Sequence, residues 1–364
     1  MSEKSEYDRL IEILNSRGSS LPLIKCDELY AMLSEIYTTE EAEFISGLPL
    51  TPFTAPSLLE TMREYDKMGL VARLESMADK GQLHTVASHA GETYYIINTL
   101  IPGYLELCFM GGNVDEHRKK VAQVFYSYLK RMECQPNLEI EGVWRFPFFR
   151  TLPVEKEIES NTSIQPYDKV SKYIQKTEYI AVGTCFCNQV QTLSSIPSGK
   201  PKEVCMTFGP TAQSYIKRGF ARRITSEEAF KILDEAERAG LVHCASNTGK
   251  YIDGMCNCHI DHCKFLQNIR KSVKPFMVSP SGFVVEYSAE DCTSCGACVE
   301  RCQMGALVMS GDELVFNSNR CIGCGLCISY CPTGCLQLKA REQAKAPPVN
   351  NTQLYSTMLN SMKK

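Results

Sequence analysis

The spacing of its cysteines constrains this chain more than any other feature. The run Cys292-x2-Cys295-x2-Cys298-x3-Cys302 recurs 29 residues later as Cys321-x2-Cys324-x2-Cys327-x3-Cys331, followed by Pro332. Any fold of this segment has to place eight thiols in two equivalent loops. The chain has 19 cysteines in 364 residues, and all but Cys26, Cys108 and Cys134 lie between Cys185 and Cys335. In a small secreted domain that density would mean disulfides. Here the N-terminal stretch MSEKSEYDRLIEILNSRGSS is polar and charged, unlike a signal peptide, so metal binding or catalysis is favoured. The three early cysteines stand alone and read as small core residues.

Three thiols on one tight loop can each reach a different iron of a four-iron cubane. Gly296, and Gly323 or Gly325, let the backbone come close where a side chain would collide. Backbone N–H groups of such a loop can donate to the sulfurs, and Pro332 fixes the exit turn. Around the runs, Phe283–Tyr287 reads as a strand and 306–316 as a hairpin through Ser310-Gly-Asp. Residues 335–338 read as a closing strand. On these motifs, residues 282–340 resemble the bacterial two-cluster [4Fe–4S] ferredoxins. The resemblance implies a small α+β fold with pseudo-two-fold symmetry, two [4Fe–4S] clusters and electron transfer. In that family the fourth cysteine of each run ligates the other cluster. It therefore implies one ligand set of Cys292, Cys295, Cys298 and Cys331, and another of Cys321, Cys324, Cys327 and Cys302. Gln303 departs from the family, which has Pro there. Cys335 aligns with Ala306 under the repeat and reads as packing. Zinc is the alternative for an isolated Cys-x2-Cys pair, and eight cysteines in a doubled pattern argue against it.

A second constellation occupies residues 179–265: Cys185-Phe-Cys187, Cys205, Cys244, Cys256-Asn-Cys258-His259 and His262-Cys263. Cys185, Cys187, Cys205, Cys256, Cys258 and Cys263 are candidate metal ligands, four of them direct, because clustered thiols suit a soft metal. Three readings stay open. One is a third iron–sulfur cluster. Another is a zinc site drawing on His259 or His262. The third is a redox-active dithiol beside a cluster. Cys244 follows a helix end as a single residue and reads as core. That helix is N-capped by Thr225, with Glu228 closing a capping box, Gly240 ending it and a stripe of Phe230, Leu233 and Ala236. The region is similar to a domain that accompanies ferredoxin modules in iron–sulfur proteins of anaerobic microbes, which implies no particular substrate. Lys217, Arg218, Arg222 and Arg223 form a basic patch, either solvated or a dock for an acidic partner.

The first half has no metal pattern. Residues 26–37, 40–46, 57–65, 68–80 and 115–132 read as helices, and 83–87 and 93–97 as a two-stranded wing, an order that looks like a winged helix. A helix that reads a DNA groove should be basic, whereas here Arg73 and Lys80 are balanced by Glu75 and Asp79. A protein-docking or structural unit is expected instead. Residues 147–159 read as an extended linker around Pro153, and 166–175 as a short helix. The expected architecture is α+β and multidomain. It comprises an N-terminal segment 1–22, a winged-helix-like domain 23–150 and a cysteine-rich α/β domain 151–275, then the ferredoxin domain 276–340 and a flexible tail 341–364. The expected function is electron transfer with a redox protein as partner. No nucleic acid is expected at a net charge of −3, and no membrane, since no stretch approaches about 18 apolar residues. The compartment expected is the cytoplasm. Two alternatives remain: a reductase acting at the Cys-x-Cys sites, and a redox-sensing winged-helix regulator. No Gly-x-Gly-x-x-Gly follows a strand, so there is no dinucleotide fingerprint.

Overall fold

The computed structural model describes residues 4–21, 23–88, 90–133, 145–158, 168–271 and 278–362. Cys134 falls outside these residues. The fold is α+β. In the N-terminal part, α1 (Lys4–Arg17), α2 (Asp27–Ile36), α3 (Thr39–Ser46), α4 (Ala55–Leu59) and α5 (Lys67–Asp79) precede a hairpin of β1 (Leu83–Ala87) and β2 (Thr93–Ile97). Then come α6 (Tyr104–Met110) and α7 (Glu116–Glu133). Residues 4–21 pack into the helices that follow them. Tyr7, Leu10, Ile11 and Leu14 recur at helical spacing on α1 and are buried, and the Tyr7 hydroxyl donates to Tyr37 O at 2.9 Å. The helix expected over 57–65 is shorter. Beyond Leu59 the residues Glu60, Arg63 and Glu64 are exposed and offer no face to bury, and Asp66 opens the next helix by accepting from Gly69 N at 2.9 Å.

The middle of the chain builds one seven-stranded sheet in the order β6-β4-β5-β8-β7-β3-β9. Its elements are β3 (Phe149–Thr151), α8 (Val170–Lys176), β4 (Ile180–Thr184), α9 (Phe186–Leu193), β5 (Glu203–Phe208), α10 (Gly209–Lys217), β6 (Arg222–Ile224), α11 (Ser226–Arg238), β7 (Val242–Ser246), β8 (Gly254–Cys258), α12 (Lys264–Lys271) and β9 (Val278–Ser279). The expected linker 147–159 is thus corrected: Phe149, Arg150 and Thr151 are buried and pair with Ser246, Ala245 and Cys244. On α11, Thr225 caps as expected, but the Glu228 carboxylate pairs with Arg222 at 2.6 Å. Phe230 is exposed, and Ala229, Ile232, Leu233 and Ala236 supply the buried stripe.

The C-terminal module contains β10 (Phe283–Tyr287), α13 (Ala297–Arg301), the hairpin β11 (Leu307–Ser310) with β12 (Glu313–Phe316), and β13 (Leu336–Ala340), which pairs antiparallel with β10. The expected flexible tail is instead α14 (Asn351–Met362). Leu354 and Met358 are completely buried beside Phe146 and Phe148, and Gly249 and Lys250 donate to Pro348 O and Val349 O at 2.8 and 3.0 Å. Two apolar residues one helical turn apart are enough to dock a polar helix.

The basic patch finds its acidic partner within the same chain. Arg218, whose side chain is 3% exposed, pairs with Glu75 at 3.2 Å and Asp79 at 2.5 Å, both on α5, and donates to Thr85 Oγ1 on β1 at 3.2 Å. Arg222 pairs with Glu228 and Glu203, and Arg223 lies over the Tyr179 ring. The β1–β2 hairpin therefore lies against α10, where Thr85 and Ser214 hydroxyls meet at 3.0 Å. No helix among the described residues is long and apolar enough to cross a membrane.

Candidate metal centres

In the C-terminal module, the loops between strands carry both cysteine runs. Cys292, Cys295, Cys298 and Cys331 line one cavity, walled by Met309, Leu314 and Cys335. This is the cross-run set expected for the first cluster. Ser294 N donates to Cys292 Sγ at 3.4 Å, which holds that thiol below its ordinary pKa. In the other set, burial pushes Cys324 up to about 12 and Cys327 well up. The neighbouring sulfur charges that add to this include Cys302 and Cys321 in both cases. Ala306 N donates to Cys302 Sγ at 3.2 Å. Thiol-only donor sets with N–H groups aimed at sulfur fit a four-iron cluster in each place. Cys295 is exposed, whereas burial strongly raises both Cys324 and Cys327, so the first set lies toward the outside and the second deeper. Cys335 is buried as expected of packing, but its Sγ lies 3.4 Å from that of Cys331.

The middle constellation draws its thiols from the sheet and from two helix starts. Cys256 and Cys258 are two apart on β8 and so share a face, and Cys244 on β7 is the register partner of Cys256. Cys205 lies on β5, which pairs with the other edge of β8. Cys185 precedes α9, with Gln189 N on its carbonyl at 2.9 Å, and Cys187 sits in the first turn. Cys263 opens α12 in the same way, with Gln267 N on its carbonyl at 3.0 Å. Both helices have eight residues and point their positive ends at the thiols.

Together the six candidate thiols form a closed ring. Cys185 contacts Cys187 and Cys205, Cys205 contacts Cys256, Cys256 contacts Cys258, Cys258 contacts Cys263, and Cys263 returns to Cys187. Mutual interaction of neighbouring thiols makes the members of the ring alternate in acidity. It holds Cys185 and Cys263 well below the thiol range and Cys256 at about 6, while Cys187, Cys205 and Cys258 are raised. Among the described residues, no three His, Cys, Asp or Glu side chains stand ready around a single-ion position, the ferredoxin cysteines included. A cluster takes each thiolate on a separate iron, so its ligands need not converge on one point.

Three participants escaped the sequence reading. Cys244 contacts Cys258 on one side, and on the other lies close enough to Cys324 for their charges to interact. Its only sequence signal is that it keeps strand alternation with Val242 and Ser246. Burial raises the Glu106 carboxyl on α6 to about 8, and the thiols of Cys256 and Cys185 push in the same direction. No local pattern marks it, because helix packing across 79 residues of sequence brings it there. The third is Gln303, the departure from the ferredoxin pattern. It is buried; its Oε1 accepts from Ile260 N at 2.6 Å, and its Nε2 donates to Gly240 O. The side chain thus fastens the module to the turn that carries the middle thiols. Cys302 before it is extended (φ −79°, ψ 92°), which suits a following proline. Gln303→Pro should therefore leave the module's iron unchanged but cost about 2–4 kcal/mol, since two buried backbone groups lose their partners. Anaerobic urea unfolding of both proteins measures this, and equal stability would show that the two bonds contribute nothing.

A family model described as a 4Fe-4S binding domain matches residues 285–308 and 314–337, one match on each cysteine run. No curated protein and no solved structure matches the chain. The tandem match and the loop geometry agree on the same segment. Residues 285–337 are a ferredoxin-like, 4Fe-4S-binding segment, which supports an iron–sulfur electron-transfer role.

Proposed function

We propose that the chain is an electron-transfer protein with three centres: two [4Fe–4S] clusters in the C-terminal module and a third, iron–sulfur, at the middle ring. The closed ring of six thiols, with Cys244 reaching from it toward Cys324, carries this reading. The segment after β3 ties the two sites together. Leu152 N donates to His243 O and Val154 N to Cys324 O, both at 2.9 Å. One apolar cluster includes Cys244, Cys258, Cys263, Ile322 and Leu326, with Cys302 and Cys324 packed against it. This packing excludes water between the middle ring and the inner ferredoxin set. Bound clusters would supply one-electron carriers, and the chain's work is to hold them close, dry and in order. Exposed Cys295 marks the face where a redox protein would exchange electrons.

The reductase and regulator readings receive less support. The described cleft of about 280 Å³ beside the ring is lined by Lys200, His259, Arg301 and Tyr330 but by no thiol. The helix that would enter a DNA groove turns Glu75 and Asp79 toward Arg218, so the winged-helix-like domain acts here as an internal docking unit. The test compares anaerobically reconstituted wild-type protein with a Cys185→Ser, Cys256→Ser, Cys263→Ser variant. Wild type should hold about twelve irons and the variant about eight. Equal iron in the two proteins, or zinc in place of the missing iron, would sink the third iron centre.

A further inference from the structure

We propose that His262 is a direct ligand of the middle centre, through an imidazole nitrogen in place of one thiolate. The inference rests on the third centre argued above and deepens it. His262 is 2% exposed, and neither ring nitrogen makes a well-formed hydrogen bond. The polar group that its ring faces is the Cys185 thiol of the ring. Its neighbours in the same domain are satisfied. His243 bonds Asn257 Oδ1 at 2.5 Å and Glu237 Oε1 at 3.2 Å, and His259 meets Asp261 Oδ2 at 3.1 Å. A buried imidazole with no well-formed hydrogen bond at either nitrogen is rare in a folded protein unless a ligand or metal takes the lone pair.

The turn explains how the residue is delivered. His262 N and Cys263 N both donate to His259 O, at 3.2 and 2.8 Å, which closes a tight turn between the end of β8 and the start of α12. Gln303 holds Ile260 within that turn from the module's side. Cys258, His262 and Cys263 therefore come from one clamped loop, while Cys185 and Cys187 face them from α9. The sequence offers His259 and His262 alike as candidate ligands, and spacing alone does not choose between them.

Replacing a thiolate by a neutral imidazole removes one negative charge from the ligand set, and in iron–sulfur sites that change raises the reduction potential. The middle centre should then be easier to reduce than the two all-cysteine sets of the module. That ordering makes it the acceptor end of the chain, with the exposed Cys295 set as the entry.

The test uses full-length protein labelled with ¹⁵N-histidine, reconstituted with iron and sulfide and then reduced. Pulsed electron paramagnetic resonance should show a strong ¹⁵N coupling on one of the centres in wild type and lose it in His262→Cys. The same variant should keep its iron and shift the potential of one centre downward. His262→Ala covers the case in which the cysteine variant does not load: it should lose the coupling or about four irons. If either variant keeps full iron, the same nitrogen coupling and the same potentials, His262 is not a ligand. That outcome leaves the third centre standing, whereas unchanged iron in the triple-serine variant removes the centre itself.

Discussion

Cys302→Ala should empty the site of Cys321, Cys324 and Cys327 while the site of Cys292, Cys295, Cys298 and Cys331 keeps its iron. The loss is expected to be about four irons per chain and the spectrum of the inner centre. Cys302 belongs to the first run in sequence, so a reading by proximity alone would predict the opposite loss. Geometry decides between them. Cys302 caps the end of α13, where the chain leaves the first loop, and its sulfur adds to the charges around Cys324 and Cys327. Those two thiols are pushed up by burial, so as free thiols they stay protonated, and a metal is what stabilises them as thiolates. With one of four ligands gone, the inner cavity has no further thiol of its own set. The mirror variant Cys331→Ala discriminates less well, because Cys335 Sγ is already 3.4 Å from the Cys331 sulfur and can substitute. Iron analysis with Mössbauer spectroscopy on the Cys302→Ala protein settles the pairing. Loss of the outer centre with the inner one retained would reverse it.

Local patterns in the sequence identified the ferredoxin-like segment almost completely, because every signal there lies within the 59 residues from 282 to 340. The hairpin turn Gly311-Asp312, the strand 283–287 and the cysteine spacing are each set by neighbouring residues, and the structure places all of them as expected. The middle ring was legible as a list of thiols but not as a ring. Its order runs Cys185, Cys205, Cys256, Cys258, Cys263, Cys187, which depends on β8 lying between β5 and β7 in the sheet. Strand order of that kind is a tertiary fact. It also brings in Cys244, whose neighbours in sequence say only that it is buried. The corrected segments share one cause. Segments 1–22, 147–159 and 341–364 are polar on average, and the described part of each is held by a few apolar residues. Tyr7, Leu10, Ile11 and Leu14, then Phe149, then Leu354 and Met358 dock their segments onto surfaces built elsewhere. Average polarity hides such anchors.

Gly323→Ala should be the most damaging single-atom change in the module, and the repeat supplies its own control. Gly323 has φ +69°, and a Cβ there would collide with Phe283 O and Ser281 Oγ and lie 2.8 Å from the Phe283 carbonyl carbon. Backbone angle alone is not the obstacle. The equivalent position of the first run is Ser294, which carries a side chain at φ +54°. The difference is what lies behind the loop. Ser281 N donates to Ile322 O at 3.0 Å, and its hydroxyl donates to Gly323 O at 2.7 Å, clamping the start of β10 against the inner cysteine loop. Among the described residues, no strand start is clamped in that way behind Ser294. Adding a methyl at 323 must push β10 away from the loop or break both bonds, and collisions with backbone are relieved only by moving the strand. A loss above about 4 kcal/mol is expected, together with about four irons from the inner centre. Gly296→Ala tests the angle without the clash. Its φ is +75° and nothing lies within 4 Å of where its Cβ would sit, so it should cost only about 1–2 kcal/mol and keep full iron. Thermal midpoints and iron content of the two variants, measured side by side under anaerobic conditions, separate the causes. If both fall by the same small amount, β10 yields easily and its contact with Gly323 does not hold the inner loop in place.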